Sequence, residues 1–375
     1  MLFATFSVLA AAAVVAGADT VVIPRPSSPY SVKTEVLDLT DESRWDPYAS
    51  ANATHKRRIL TSVFLPLESC DEEITTPYLP PATNAVYAQI LASYGLPADL
   101  LEVFEVAHCA SGKAAEPEGG FPLILLSPGF TGSRLGYSVR ASALASLGYV
   151  VVTIDHPYES FIVEFPDGTI NYGPVMGDDR EEILGAVEVR TEDISFLLDQ
   201  LAELDLPIDH SKIISAGHSL GGWTSGAVAF KDDRVLAGLN EDGRMEGPVV
   251  DQGLSKPFIQ VGTAETIAKG GQEGWRELYD NSKGTKLIIG IDNTTHNSWL
   301  DPLYMFTFVD IPADQQPAID AVLGSLDGKL MMDITLEYLT GFADLVFYGD
   351  ATTLKNIGNK FEAVTIAEEH YQGSC

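Results

Sequence analysis

One segment of this chain has residue types and spacing that could do chemistry: Gly217-His218-Ser219-Leu220-Gly221-Gly222. A serine hydroxyl is a poor nucleophile at its own pKa. It becomes a useful one when a base takes its proton and a carboxylate orients that base. The chemistry would be attack on an acyl carbonyl through a covalent acyl intermediate. A glycine two residues to either side of Ser219 suits a sharp strand-to-helix turn, where bulky neighbours would collide. Ile213–Ser215 reads as strand before the turn, and the small-residue run Leu220–Phe230 reads as helix after it. The N-terminus of that helix would set a positive field where an oxyanion forms.

In folds that use such a turn, the chain order is Ser, acid, His. Two histidines follow Ser219, His296 and His370. His296 comes just after the apolar run Lys286–Ile291, at the carboxyl end of an expected strand, and is the predicted base. His370 lies in a polar C-terminal tail. His218 is expected to pack or hydrogen-bond beneath the turn, and His156 to line or brace the cleft. His55, His108 and His210 have no such context. The acid stays open between Asp242, just after the run Val235–Leu239, and Glu265, after Pro257–Val261. Glu241 and Asp251 are weaker candidates. Two backbone N–H groups must hold the oxyanion. Leu220 supplies one by position. Phe130, in Ser127-Pro128-Gly129-Phe130 after an early strand, is the predicted second; the bland alternative for that segment is an ordinary Pro-Gly turn.

These residues need a scaffold. Apolar runs at Pro122–Leu126, Tyr149–Ile154, Lys212–Ser215, Val235–Leu239, Pro257–Val261 and Lys286–Ile291 read as strands. Helical spacing falls between or after them at Ser138–Leu147, Gly185–Leu204, Leu220–Phe230, Ile319–Leu323 and Ile334–Phe347, with the acids and bases of Gly185–Leu204 placed on its polar side. Apolar strands alternating with helices predict a mostly parallel central sheet covered on both faces. With the serine turn, this is the pattern of an α/β-hydrolase fold. Residues 19–375 are expected to form one such domain. Strands at Ser31–Leu39 and Arg58–Leu65 would extend it N-terminally. Asp41–His55 and Ala110–Gly120 are expected to be turn or loop, Asn84–Tyr94 a helix, and Tyr158–Arg180 a cleft wall.

Residues 1–18 carry an apolar stretch closed by Ala16-Gly17-Ala18, the pattern of a cleaved secretory signal peptide. No later apolar run is long enough to span a bilayer. The net charge of −30 argues against nucleic acid and anionic membrane surfaces as partners. An oxidising compartment makes Cys70–Cys109 the expected bridge and leaves Cys375 odd, although all three pairings are open from sequence. Asn52-Ala53-Thr54 and Asn293-Thr294-Thr295 are glycosylation sequons. The second stands three residues before His296, so a glycan there is expected to be absent or to point outward.

Several segments together resemble the plasma-type platelet-activating-factor acetylhydrolase family, in particular its secreted fungal branch. They are Phe121–Phe130, Asp155-His156-Pro157-Tyr158 with Glu164–Gly168, Gly217–Gly222, Asn240–Gly243 and His296, with Asp41–Pro47, Arg57-Arg58 and Ser62-Val63-Phe64 near the start. The resemblance runs from about Ser31 to about Phe347. It implies Asp242 as the acid, Phe130 and Leu220 as oxyanion donors, no metal or cofactor, and a lipid-like acetyl ester as substrate. The chain has Pro128-Gly129 where that family often has His-Gly. Secreted polyester hydrolases carry a similar segment, so cutin, polyester or triglyceride is the alternative substrate class. A catalytically silent binding protein on the same fold would be expected to lack the nucleophile or the base.

Overall fold

The computed structural model describes residues 20–25 and 29–372. The segment 1–18, expected to be a signal peptide, and Cys375 lie outside the described residues.

Every residue of the strand Phe121–Ser127 is buried. Successive strand side chains point to opposite faces, so a strand sunk in the middle of a sheet must be apolar on both. Ile124 and Leu126 join one core with Val151, Ile214, Leu239, Ile259 and Leu287. Leu123 and Leu125 join the other with Val150, Val152, Ile213, Val235 and Phe258. The helices Ser138–Ser146, Gly328–Tyr348 and Thr352–Lys360 cover the first face through Leu144, Ile334 and Leu354. Arg180–Glu203, Leu220–Lys231 and Trp275–Asn281 cover the second through Ile194, Trp223 and Leu278.

Among the described residues the sheet has twelve strands. Six run parallel in the order Val150–Asp155, Phe121–Ser127, Ile208–His218, Val235–Glu241, Phe258–Thr263 and Lys286–Ile291. Val364–His370 closes one edge antiparallel. On the other side come Lys56–Leu67, antiparallel to Val150–Asp155, and Ser31–Trp45, antiparallel to Lys56–Leu67 and parallel to Phe104–Ser111. Phe104–Ser111, Val21–Ile23 and Glu72–Pro77 complete the extension. This is the α/β-hydrolase arrangement, a mostly parallel mixed sheet between two helical layers.

The structure departs from the sequence reading where polar residues sit in strands. The strand Ser31–Trp45 runs on into the stretch expected to be turn; Asp41 is buried there and its carboxylate accepts from Ser43 N at 2.9 Å and Arg44 Nε at 2.5 Å. The strand Phe104–Ser111 enters the expected loop, and Cys109 on it is disulfide-bonded to Cys70. His370 ends an edge strand rather than lying in a tail. An edge strand faces solvent along one side and tolerates charge, which hides its period. The helix expected from Gly185 begins at Arg180, where the Asp179 side chain accepts from Glu181 N and Glu182 N. Its charges are not confined to the polar side, because Arg190 and Asp193 are fully buried. The segment 158–180 contains a short hairpin, Ile162–Glu164 with Ile170–Tyr172.

Candidate active site

Ser219 sits between the strand Ile208–His218 and the helix Leu220–Lys231, with φ 54° and ψ −121°. A non-glycine residue held there is strained and persists only when its surroundings force it. A Cβ on Gly217 would lie 2.3 Å from the Gly221 carbonyl group, and one on Gly221 would lie 2.0 Å from Ser127 O. Neither position can hold a side chain, so the two glycines are what let the turn close. Ser219 N–H is engaged, donating to Glu241 O at 2.7 Å. Leu220 N–H opens the helix, where no intrahelical acceptor exists.

The loop carrying Asp242 follows the next strand, Val235–Glu241. Asp242 is also at positive φ, 53°, and is 2% exposed. The Asn240 side chain brackets it, accepting from Gly243 N at 2.9 Å and donating to Gly243 O at 2.7 Å. Asp242 N donates to Val261 O at 2.7 Å. One carboxylate oxygen accepts from Thr266 Oγ1 at 3.0 Å; the other lies 2.8 Å from His296 Nδ1. Glu265 does not share this position: its side chain is 77% exposed and pairs with Lys269. Glu241 is buried against Arg140 and Tyr338, and Asp251 is exposed.

His296 stands on the loop after Lys286–Ile291, its side chain 47% exposed. Its backbone is tied down by His218, whose Nε2 lies 2.6 Å from His296 O. A carbonyl accepts only, so His218 Nε2 carries the hydrogen and Nδ1 the lone pair. Tyr137 then donates its hydroxyl to Nδ1 at 2.9 Å and accepts from Gly129 N–H at 3.2 Å. Burial, with His296 alongside, holds His218 well below the usual histidine range, so the ring is neutral. Burial also pushes the Tyr137 hydroxyl up, which keeps it a donor. His218 thus joins the His296 loop to the Gly129 loop. His156 is fully buried and braces from behind, Nδ1 2.9 Å from Asp193 Oδ2. Burial alone would raise Asp193; Arg57 and His156 overcome it and hold the carboxyl well below the usual range.

Ser219, Leu220, Phe130, Asp242 and His296 line one polar cavity of about 320 Å³, which also receives Arg244 and Gln272. A second cavity, of about 200 Å³, abuts the same loop at Gly129, Phe130 and Thr131. Tyr87, Ile90, Leu91 and Phe161 are among its walls, and no charged side chain lines it. The segment Tyr78–Ala98, which supplies much of that wall, has no charged residue in a chain of net charge −30.

Tyr137, Thr266 and Arg190 escaped the sequence reading. Arg190 left a trace there, as a cation inside an otherwise apolar helical stripe. Tyr137 and Thr266 left none, since their partners are distant in sequence.

Comparison with known proteins gives the family and the class of the fold. The family model for Platelet-activating factor acetylhydrolase, isoform II, matches residues 52–166. A Probable 1-alkyl-2-acetylglycerophosphocholine esterase of Arthroderma benhamiae is 31% identical, covering 92% of this chain and 94% of the relative. A Platelet-activating factor acetylhydrolase of Cavia porcellus is 24% identical over 57% of this chain and 55% of its own. A solved ferulic acid esterase from Streptomyces cinnamoneus superposes with TM-score 0.78 at 28% identity, over 92% of this chain and 98% of that one. The protein is a carboxylic ester hydrolase of the α/β-hydrolase fold. Within that class, the chain belongs to the platelet-activating-factor acetylhydrolase family.

Proposed function

We propose that Ser219, His296 and Asp242 form a catalytic triad that removes a short acyl group from a lipid-like ester through an acyl-enzyme. The observation that carries this reading is a strained serine turn and a bonded His296–Asp242 pair sharing one cavity. Ser219 Oγ attacks the ester carbonyl carbon while its proton passes to His296 Nε2. Asp242 accepts from Nδ1–H, orienting the ring and stabilising the imidazolium. Phe130 and Leu220 N–H groups hold the oxyanion. As the intermediate collapses, the C–O bond breaks and His296 returns the proton to the leaving alkoxide. Water then attacks the acyl-enzyme by the reverse proton path.

The uncharged second cavity beside Phe130 supports a hydrocarbon-bearing substrate. Its aromatic walls, Tyr78, Tyr87, Tyr94 and Phe161, favour a second reading, an ester of an aromatic acid, the substrate type named for the solved ferulic acid esterase. Secretion belongs to the same proposal. The apolar N-terminal run, the Cys70–Cys109 disulfide and the exposed sequon residues Asn52 and Asn293 support it.

The test compares wild type with Ser219→Ala on a short-chain p-nitrophenyl ester. The variant is expected to lose activity to background; full retention would remove Ser219 from the mechanism. Turnover of an acetyl phospholipid, a feruloyl ester and a polyester film by the wild type ranks the substrate classes, and the acetyl phospholipid is expected to lead.

A further inference from the structure

We infer that Arg190 is a positioning residue for the oxyanion, clamping the peptide whose N–H belongs to Phe130; this rests on the triad reading above. The buried face of the helix Arg180–Glu203 carries an apolar stripe of Ile183, Val187, Ile194 and Leu197, with Thr191 and Asp193 also buried on it. Arg190 lies in that stripe at 0% exposure. A buried guanidinium is costly unless its N–H groups are all paired. Here the pairing is divided. Nε meets Glu159 Oε1 at 2.9 Å and Nη2 meets Glu159 Oε2. The other bonds go to backbone: Nη1 to Pro128 O at 2.6 Å and Nη2 to Gly129 O at 3.2 Å.

Those two carbonyls belong to successive peptides of the loop beside the nucleophile. In a trans peptide the C=O and N–H point opposite ways. With Pro128 O turned onto Arg190, Gly129 N–H must face away, and it donates to Tyr137 Oη. With Gly129 O turned onto Arg190, Phe130 N–H must face away likewise. Among the described residues it meets no acceptor, and Phe130 lines the cavity that holds Ser219 and His296. The loop is close enough to use: a Cβ on Gly129 would lie 3.2 Å from Ser219 Cβ. Together with Gly132 N–H, which also donates to Gly129 O at 3.0 Å, the guanidinium fixes the plane of the donor peptide. It also polarises that peptide, because hydrogen bonds in a chain strengthen one another. Glu159 balances the charge, so the site presents an oriented dipole rather than a free cation. A simple structural ion pair between Arg190 and Glu159 would need neither carbonyl.

An N–H that strengthens its bond only as the oxyanion develops acts on kcat rather than on KM. Arg190→Gln and Arg190→Lys should be compared with wild type on p-nitrophenyl acetate and its thionoester, whose sulfur accepts hydrogen bonds poorly. Arg190→Gln is expected to lower kcat on the oxygen ester about 10- to 100-fold, below the loss of a whole oxyanion donor. Its KM should change less than about threefold. The preference for oxygen over sulfur should shrink by a similar factor to kcat, and Arg190→Lys should fall between. Thermal melts report whether each variant folds. If Arg190→Gln does not fold, the Arg190→Lys ratio decides alone. A wild-type preference that survives both substitutions unchanged overturns the inference. So does a loss of kcat with the oxygen-to-sulfur ratio intact, the mark of a purely structural role. A wild type with no oxygen preference overturns the oxyanion reading itself, and the inference with it.

Discussion

Ser219 stands on a turn whose neighbours leave no room for a side-chain carbon, whereas His296 stands on a loop with its side chain 47% exposed. The first is held by backbone packing. Gly217 against Gly221, Gly221 against Ser127 and Gly129 against Ser219 fix Ser219 and the Gly129–Phe130 loop by close approach. The second is held by hydrogen bonds: one from its ring to Asp242 and one from His218 to its backbone. The part that must not move is sterically locked. The part proposed to carry protons, and to meet a leaving group and water, is tethered and left accessible.

Breaking the locked side should cost most. Gly221→Ala puts a carbon against the Ser127 carbonyl, and is expected to lose more than about 4 kcal/mol of stability together with nearly all activity. A urea melt and an esterase assay check both. On the tethered side, Asp242→Asn should keep the fold, with a melting temperature close to wild type, and lower kcat by roughly 10²- to 10⁴-fold. Glu265→Gln should leave kcat within about twofold.

The tether between the two sides is His218, and its protonation sets a pH dependence. Unfolded, it takes a proton below about pH 6.5; folded, burial and then His296, with Arg140 also opposing charge, hold it well below that. The unfolded state therefore gains protons that the folded state refuses. Stability drops as pH falls below about 6.5, by up to about 1.4 kcal/mol per unit. His156, lowered chiefly by burial, acts in the same sense. Asp301, pushed up to about 7 by burial, acts oppositely: stability drops as pH rises from its ordinary range towards 7. The clean measurement is therefore a difference. His218→Asn, which can still donate to the His296 carbonyl, should show a shallower loss of urea midpoint than wild type between pH 6.5 and 5. Smallest of all, Thr266→Val removes one bond to Asp242, a change of about 1 kcal/mol. It should lower kcat roughly fivefold with KM held.

The same contrast explains what could be read in the sequence. A backbone lock needs glycines at fixed offsets, so Gly217–Gly221 announces the turn. The central strands are buried on both faces and read as apolar runs. His296 follows from chain order. Asp242 does not, because Asp242 and Glu265 both follow strands in the parallel set, and spacing carries no record of which side chain reaches His296. The family resemblance pointed to Asp242, and the structure brings its carboxylate to the His296 ring. Edge strands such as Val364–His370 escaped because solvent permits charge there. Tyr137 works through partners at Gly129 and His218, a relation that no local pattern encodes. Arg190 was legible in principle, since a cation in an apolar helical stripe must have a reason.

The most direct test of the triad is to inactivate the protein with an uncharged p-nitrophenyl phosphonate and map the adduct by peptide mass spectrometry. Loss of activity should track a single adduct on Ser219, and His296→Ala should label far more slowly. Complete inactivation with the adduct on another residue, or full labelling of Ser219 with activity intact, would contradict it.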